Sequence, residues 1–420
     1  MRKLWIMLLG LAVLSGCTFG TGDSGVSADP QEPAVDSVSW GVMDLENAAL
    51  TPQAEASMLE PDADSALEER GGEAAPSTSA LPTTLLDVLP GKITVWVDGQ
   101  ALTGVLEDGV TLVSVSELQA IWPWFQGTGD GETWTYTGQA DFPHEITCQR
   151  PEAYDGSGGI CFQGIHEEYW LPVRWISQEI GVRLLWDEEW GDIYLSTPVR
   201  VRDIPQGVQV PVLMYHAVSD DLWGIDELFV SPSELEKQLS YLQENGYDPI
   251  FFSDLPNLSD YDKPVLLTFD DGYENNYTEL LPLLEKYDTK ATVFVITGLL
   301  ETENYLTVEQ VKALSDSDVV DIQSHTVHHN ELPTLSREDQ EYQLTQSQLE
   351  LARITGKIPY VLCYPTGKRN DTTVELTQSY YSFGVDMNGG LWTTADNYYR
   401  VPRIYISRED TLSSFVAKLP

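Results

Sequence analysis

Positive charge is scarce in this chain. Its 420 residues include 23 Lys and Arg against 66 Asp and Glu, a formal net charge of −43. That balance argues against a nucleic-acid partner, which needs basic side chains to replace phosphate counterions. It also argues against adhesion to anionic lipid through a basic patch. Histidines number only six, so imidazole chemistry is confined to a handful of positions. Past the N-terminus no apolar run is long enough for a transmembrane helix. Aromatic residues, by contrast, are plentiful: 12 Trp and 20 Tyr. Flat rings suit sugar stacking, but packing in the core is their commoner use. With 42% hydrophobic residues the chain can bury a sizeable core. Its length suits two or three domains at about 150 residues each.

The N-terminus predicts a compartment. Arg2 and Lys3 precede an apolar run from Leu4 to Leu14, too short to span a bilayer comfortably and right for a signal h-region. The run ends in Leu14-Ser15-Gly16-Cys17, which resembles a bacterial lipobox. That resemblance implies a lipoprotein signal over residues 1–17, with Cys17 lipidated and the protein extracytoplasmic and anchored to the cell membrane. The alternative is an ordinary signal peptide that contains a Cys. Residues 18–87 are rich in Ala, Pro, Gly, Ser and acids, with Arg70 the one base. No apolar period persists there, so the segment reads as a disordered acidic tether.

Two folded regions are expected beyond the tether, at 88–198 and 208–420. In the first, Ile93, Val95 and Val97 alternate before the turn Asp98-Gly99, a strand-and-turn signal. A short helix from Trp175 stops at Gly181, and strands are expected at 182–186 and 193–195. The pattern "VWVDGQ … YWLPVRWISQEIGVRLLWDEEWGDIYLS" resembles the copper amine oxidase N-terminal-like domain, which implies a small α+β module usually without copper. No ligand cluster is visible in it, since His144 and His166 are isolated. Cys148 and Cys161 bracket the loop Asp155-Gly156-Ser157-Gly158-Gly159. Outside the cytosol a disulfide is the natural pairing, with two buried thiols as the alternative. Trp122, Trp124 and Phe125 read as core or interdomain packing before a glycan platform.

From Val208 the pattern is α/β. Strand candidates are Val210 to Tyr215, Val265 to Phe269, Ala291 to Ile296, Val319 to Ser324, Tyr360 to Tyr364, Phe383 to Asp386 and Val401 to Ser407. Between them, Ser231-Pro232-Ser233-Glu234 opens a helix that Asn245-Gly246 closes, and Ser336 opens another that ends at Gly356. Strands alternating with helices imply a parallel sheet or barrel. In such barrels the chemistry gathers at the C-terminal ends of the strands. Those ends read His216, Asp270-Asp271, His325, Tyr364-Pro365 and Asp386, where a purely structural rim would carry turn residues.

The sharpest element is Ser324-His325-Thr326-Val327-His328-His329. The i,i+4 spacing of His325 and His329 aims both imidazoles at one point from a helical turn or a loop of similar geometry. No Glu follows the first His, so the zinc-peptidase pattern is excluded. Asp271 is the best third ligand. Two His and one carboxylate leave coordination positions open, the mark of a catalytic metal. Asp270 is then free to take a proton beside that metal. His328 points elsewhere.

The segments "VPVLMYHAV", "KPVLLTFDDGYENNY", "KATVFVITG", "DIQSHTVHHNEL", "YVLCYPTGKRND" and "VPRIYISRED" resemble, in order, the polysaccharide deacetylases (NodB-homology domain, carbohydrate esterase family 4). The resemblance implies a distorted (β/α)7 barrel that removes acetyl groups from N-acetylglucosamine residues of a cell-surface or cell-wall polysaccharide. It implies Asp270 as general base and Asp271, His325 and His329 as ligands of a divalent metal, Zn2+ first, with Co2+, Ni2+ or Mn2+ as alternatives. The Thr366 backbone N–H would hold the oxyanion. This chain departs from the family pattern at several points. Cys363 stands where Arg is frequent, Thr366 where an aromatic is frequent, and Asn330 where Pro is usual. The late Leu-x-His is missing, because no His follows His329. By elimination among the six His, His216 is the candidate general acid. Arg403 is expected either to orient Asp270 or to pair with Asp386. Two other functions remain open at this point: a glycan-binding surface lipoprotein with a decayed barrel, and a hydrolase of another amide.

Overall fold

The structure, a computed structural model, describes residues 92–107, 110–138, 144–149, 161–163 and 169–420. The expected signal with Cys17, the tether, His166 and the Gly-rich loop lie outside the described residues, as do the side chains on which a Cys148–Cys161 disulfide would rest. Among the described residues no helix is long and apolar enough to cross a membrane.

The front region is one mixed sheet with two short helical stretches. Lys92–Val97 turns back on Gln100–Glu107 through Asp98 and Gly99, both at positive φ (44° and 89°). Such a turn matches the twist of an antiparallel pair and favours an Asp-Gly sequence. The strand Lys92–Val97 also runs parallel to Ile193–Ser196, and further pairing carries the sheet out to the strand at Gly127–Gly129. Cys148 and Cys161 are backbone partners on neighbouring parallel strands. Helix Val115–Ile121 starts under the Ser114 side chain, which accepts the Glu117 N–H at 3.3 Å. The stretch Val173–Ile180 ends at Gly181, left-handed at φ 81°. Trp122 and Phe125 are buried in the core with Trp134 and Tyr136, so these rings pack the module and offer no glycan platform.

The second region is built on seven parallel strands: β1 (Val212–Tyr215), β2 (Pro264–Phe269), β3 (Ala291–Val295), β4 (Val320–Ser324), β5 (Val361–Cys363), β6 (Phe383–Val385) and β7 (Ile404–Tyr405). Their order is β6-β5-β4-β3-β2-β1-β7. A parallel bridge between Val385 and Val401 joins the two ends, so the curled sheet closes into the distorted (β/α)7 barrel. Every residue of β2 and β3 is buried, as expected where helices cover the outside and side chains fill the inside. Helix Pro232–Glu244 begins at the Ser231 cap with Pro at its first position, and helix Arg337–Thr355 runs from the Ser336 cap to a left-handed Gly356. The seventh ladder is shorter than its apolar run suggests. Val401 pairs with β6, then the chain passes inward through Arg403 before pairing with β1.

The front region packs on the barrel at the N-terminal ends of the strands. Arg183, 5% exposed, donates to the carbonyls of Ile358 and Pro359, just before β5, and of Tyr380, just before β6. Burial lowers its pKa to about 10. Asp187 takes two hydrogen bonds from Arg353, at 2.6 and 2.7 Å, and the same guanidinium lies over the Trp190 ring. Ser196 Oγ accepts from the Ile358 N–H, and the Gly356 carbonyl accepts from the Gly99 N–H.

Candidate active site

The two adjacent aspartates follow directly from β2. Asp270 N–H donates to the Tyr215 carbonyl at 3.0 Å, continuing the pairing with β1. Asp271 and Gly272 then both adopt left-handed φ (76° and 73°). Asp tolerates that region better than most residues, and Gly occupies it freely. The turn brings two sequence neighbours into one cluster, although successive strand residues would face apart.

His325 and His329 sit on a loop at the end of β4. Thr326 and His329 are left-handed (φ 66° and 56°), so no helical turn carries the pair. The His329 N–H donates to Thr326 Oγ1 at 3.1 Å, and the Thr326 N–H to Ser324 Oγ at 3.2 Å. Asp271 Oδ1 lies 3.4 Å from His325 Nε2 and 3.7 Å from His329 Nε2. These three donor atoms all lie within 4.8 Å of one another. The His325 Nδ1 is 2.8 Å from the Cys363 carbonyl, a contact that holds a proton on Nδ1 and turns Nε2 toward the cluster. Two imidazoles and a carboxylate, with one ring oriented by its own hydrogen bond, fit a divalent cation.

Charge is strongly coupled here. Burial disfavours the Asp271 carboxylate, yet the three neighbouring histidines hold its pKa well below the ordinary value. Burial opposes charge on His325, and Cys363, Asp271 and Asp270 more than reverse it. Burial and the His325 charge lower His329 to about 4.

Asp270, 2% exposed, is held by Arg403, which is fully buried on the approach to β7. Its Nη1 and Nη2 each approach one carboxylate oxygen at 2.7 Å. Nη1 also donates to Thr268 Oγ1, and Nε to the Asp386 carbonyl. Burial would raise the Asp270 pKa, but the guanidinium keeps it lowered. Cys363 Sγ, with no exposed surface, lies 3.5 Å from Asp270 Oδ2 and 3.2 Å from Arg403 Nη2. Burial raises the pKa of its thiol, so it remains neutral. Asp270, His325 and Cys363 also cluster within 4.8 Å, but Arg403 already puts a fixed positive charge against two of them, and a second cation is repelled.

His216, 6% exposed at the end of β1, places Nε2 3.9 Å from Asp270 Oδ2. Its Nδ1 is buried without a hydrogen-bond partner in the protein. Burial lowers its pKa, with the two aspartates pulling the other way. Thr366 follows β5 at φ 55° and is exposed. Asp386 does not pair with Arg403 through its carboxylate, the second of the two arrangements expected for that arginine. Its side chain takes Arg369 Nη2 at 2.5 Å and both the side-chain and backbone N–H of Asn388. Sequence reasoning missed Arg369, which lies on the loop after β5 and shows no spacing signal. Tyr364 turns away from the cluster, and its hydroxyl donates to the Tyr399 carbonyl. His144, in the front region, faces Glu179 at 3.5 Å.

Comparison with known proteins places this cluster in a family. A family profile described as polysaccharide deacetylase matches residues 258–382. The chain is 30% identical over 215 residues to the putative polysaccharide deacetylase YxkH of Bacillus subtilis (strain 168), a match covering 50% of this chain and 75% of that protein. It is 25% identical over 257 residues to the poly-beta-1,6-N-acetyl-D-glucosamine N-deacetylase of Escherichia coli (strain K12), covering 49% of this chain and 38% of that one. Among solved structures, the Streptococcus pyogenes deacetylase PplD in complex with acetate aligns at 29% identity and a TM-score of 0.48, over 51% of this chain and 99% of that one.

Proposed function

The chain belongs to the polysaccharide deacetylase family, and on that premise we propose that it hydrolyses the N-acetyl groups of N-acetylglucosamine residues in a cell-surface or cell-wall polysaccharide, with a divalent metal held by Asp271, His325 and His329. The observation that carries this reading is the convergence of those three donors beside a separately held carboxylate, at the C-terminal ends of the barrel strands. A divalent metal bound there supplies Lewis acidity toward an amide carbonyl and toward water.

The chain's own residues divide the remaining work. Asp270 removes the proton of the attacking water. Arg403 keeps that carboxylate ionised and fixes both of its oxygens, so the base is oriented before substrate arrives. The Thr366 N–H stabilises the negative oxygen of the tetrahedral intermediate, a contribution of about 3 kcal/mol for a well-placed donor. His216 returns a proton to the departing amine, which is too basic to leave as an anion. Its support is position: a buried imidazole within 3.9 Å of Asp270.

The proposal extends to location. The Cys17 signal would set the enzyme outside the cytoplasm on a lipid anchor, within reach of its polymer. Acetate release from peptidoglycan, chitooligosaccharide and poly-N-acetylglucosamine, with metal-stripped protein as control, tests the activity. Release from none of them by metal-loaded protein overturns it. Incorporation of labelled palmitate that is lost in Cys17→Ser tests the anchor.

A further inference from the structure

Helix Arg337–Thr355 buries a line of polar side chains. Gln340, Gln343, Ser347 and Gln348 are each at most 5% exposed. Polar groups buried in this way are unfavourable unless bonded, and each of these has partners. Gln340 Oε1 accepts from Thr373 Oγ1, and Gln348 Nε2 donates to the Pro359 and Tyr380 carbonyls. The other two reach the histidine loop. The Ser347 and Ser324 hydroxyls are 2.7 Å apart. Gln343 spends both ends of its amide on one residue: Oε1 accepts the His328 N–H at 2.8 Å, and Nε2 meets His328 Nδ1 at 2.9 Å.

We infer that Gln343 is a positioning residue for the metal loop, a staple that fixes His328 and through it His329, while Ser347 holds the start of the loop through Ser324. The inference rests on the reading that Asp271, His325 and His329 hold a metal. The loop needs such support, because Thr326 and His329 both occupy left-handed conformations that persist only where the surroundings over-determine them. His329 is also the most exposed of the three donors, its side chain 33% accessible, and it has the least packing to keep Nε2 near Asp271. The N–H of the preceding residue is where helix Arg337–Thr355 reaches nearest to it along the chain, beside the His329 N–H bond to Thr326 Oγ1 inside the loop.

The test is Co2+ titration into the metal-stripped full chain, read by competition with a chromophoric chelator and by the Co2+ absorption spectrum. Gln343→Met, similar in length but without the amide, is expected to bind about 10–100-fold more weakly, the usual effect of removing a partner behind a ligand. Gln343→Glu keeps an acceptor for the His328 N–H and should recover most of the affinity. His328→Ala keeps that backbone bond and should change little. Wild-type affinity and spectrum in Gln343→Met overturn the inference. If Gln343→Met does not fold by circular dichroism, Ser347→Ala reads the second staple, with weaker binding expected and unchanged binding overturning it. Wild-type protein that takes up no Co2+ overturns the staple and the metal reading together. Weakened Co2+ binding in Gln343→Met, with no acetate released by the wild type, supports the staple and overturns only the deacetylation reading.

Discussion

Arg403, on the approach to β7, clasps Asp270 at the end of β2 with one guanidinium nitrogen on each carboxylate oxygen, both at 2.7 Å. Neither residue is more than 2% exposed. The position on β5 where the family resemblance leads one to look for an arginine holds the neutral thiol of Cys363 instead. In this chain the positive partner of the carboxylate comes from the approach to β7 and not from β5. Arg403→Met is expected to leave Asp270 buried and uncompensated. The fold should lose about 3–5 kcal/mol, the range for breaking a buried pair. Burial then dominates and raises the Asp270 pKa, so the acid limb of kcat/KM should move to higher pH. Arg403→Lys keeps the charge without the two-pronged geometry and should fall between. An acid limb that stays put in Arg403→Met removes Arg403 from the base.

Asp270→Asn should retain metal and fold while kcat drops by about 10²–10⁴, the scale of general acid–base groups. Metal content by elemental analysis and a steady-state assay check the two halves separately. Unchanged turnover moves the base elsewhere.

Alanine at Asp271, His325 or His329 should each abolish metal retention and activity. Chelation and dialysis of the wild type should do the same, with activity restored by added divalent ion. Full activity after exhaustive chelation contradicts the metal reading.

His216→Ala should cut kcat sharply, leave metal content intact and remove the alkaline limb of the pH–rate profile, since the variant lacks the group that must be protonated. Persistence of that limb assigns the proton to another donor.

The contact between the two regions has its own acid sensitivity. Burial alone would raise the Asp187 pKa, but hydrogen bonds from Arg353 and from the backbone hold it below the ordinary value. A depressed folded pKa stabilises above the unfolded value of about 3.9 and loses that stabilisation as the pH falls through the folded one. Asp187→Ala should therefore destabilise at neutral pH by about 3 kcal/mol and flatten the acid arm of the stability curve. Equal unfolding midpoints for mutant and wild type at neutral pH would show that the pair does not stabilise the contact.

Much of this was legible in the sequence because most barrel strands read as largely apolar runs with polar residues at their ends, β4 (Val320-Asp321-Ile322-Gln323-Ser324) being the exception. Asp270, Asp271, His325 and His216 all stand where strands stop, and they converge. The i,i+4 spacing of His325 and His329 was compatible with a helical turn or a loop; only the left-handed Thr326 and His329 decide for the loop. Arg403 had two candidate partners, and the choice of Asp270 depends on how β7 crosses to β1, which no local pattern encodes. Asp386 took the unanticipated Arg369. Gln343 was invisible for a different reason: a glutamine on a helix this polar reads as a solvent face, and only the packed helix reveals that it is buried.

Helix Arg337–Thr355 touches the front region at Arg353 and the histidine loop at Gln343. Ten residues separate those contacts, about 15 Å at 1.5 Å per residue. The module ahead of the barrel is therefore not freely exchangeable. A chimera that replaces it must offer an acid opposite Arg353 and a buried donor for the carbonyls that Arg183 serves. Otherwise the beam behind the histidine loop is clamped at one end only.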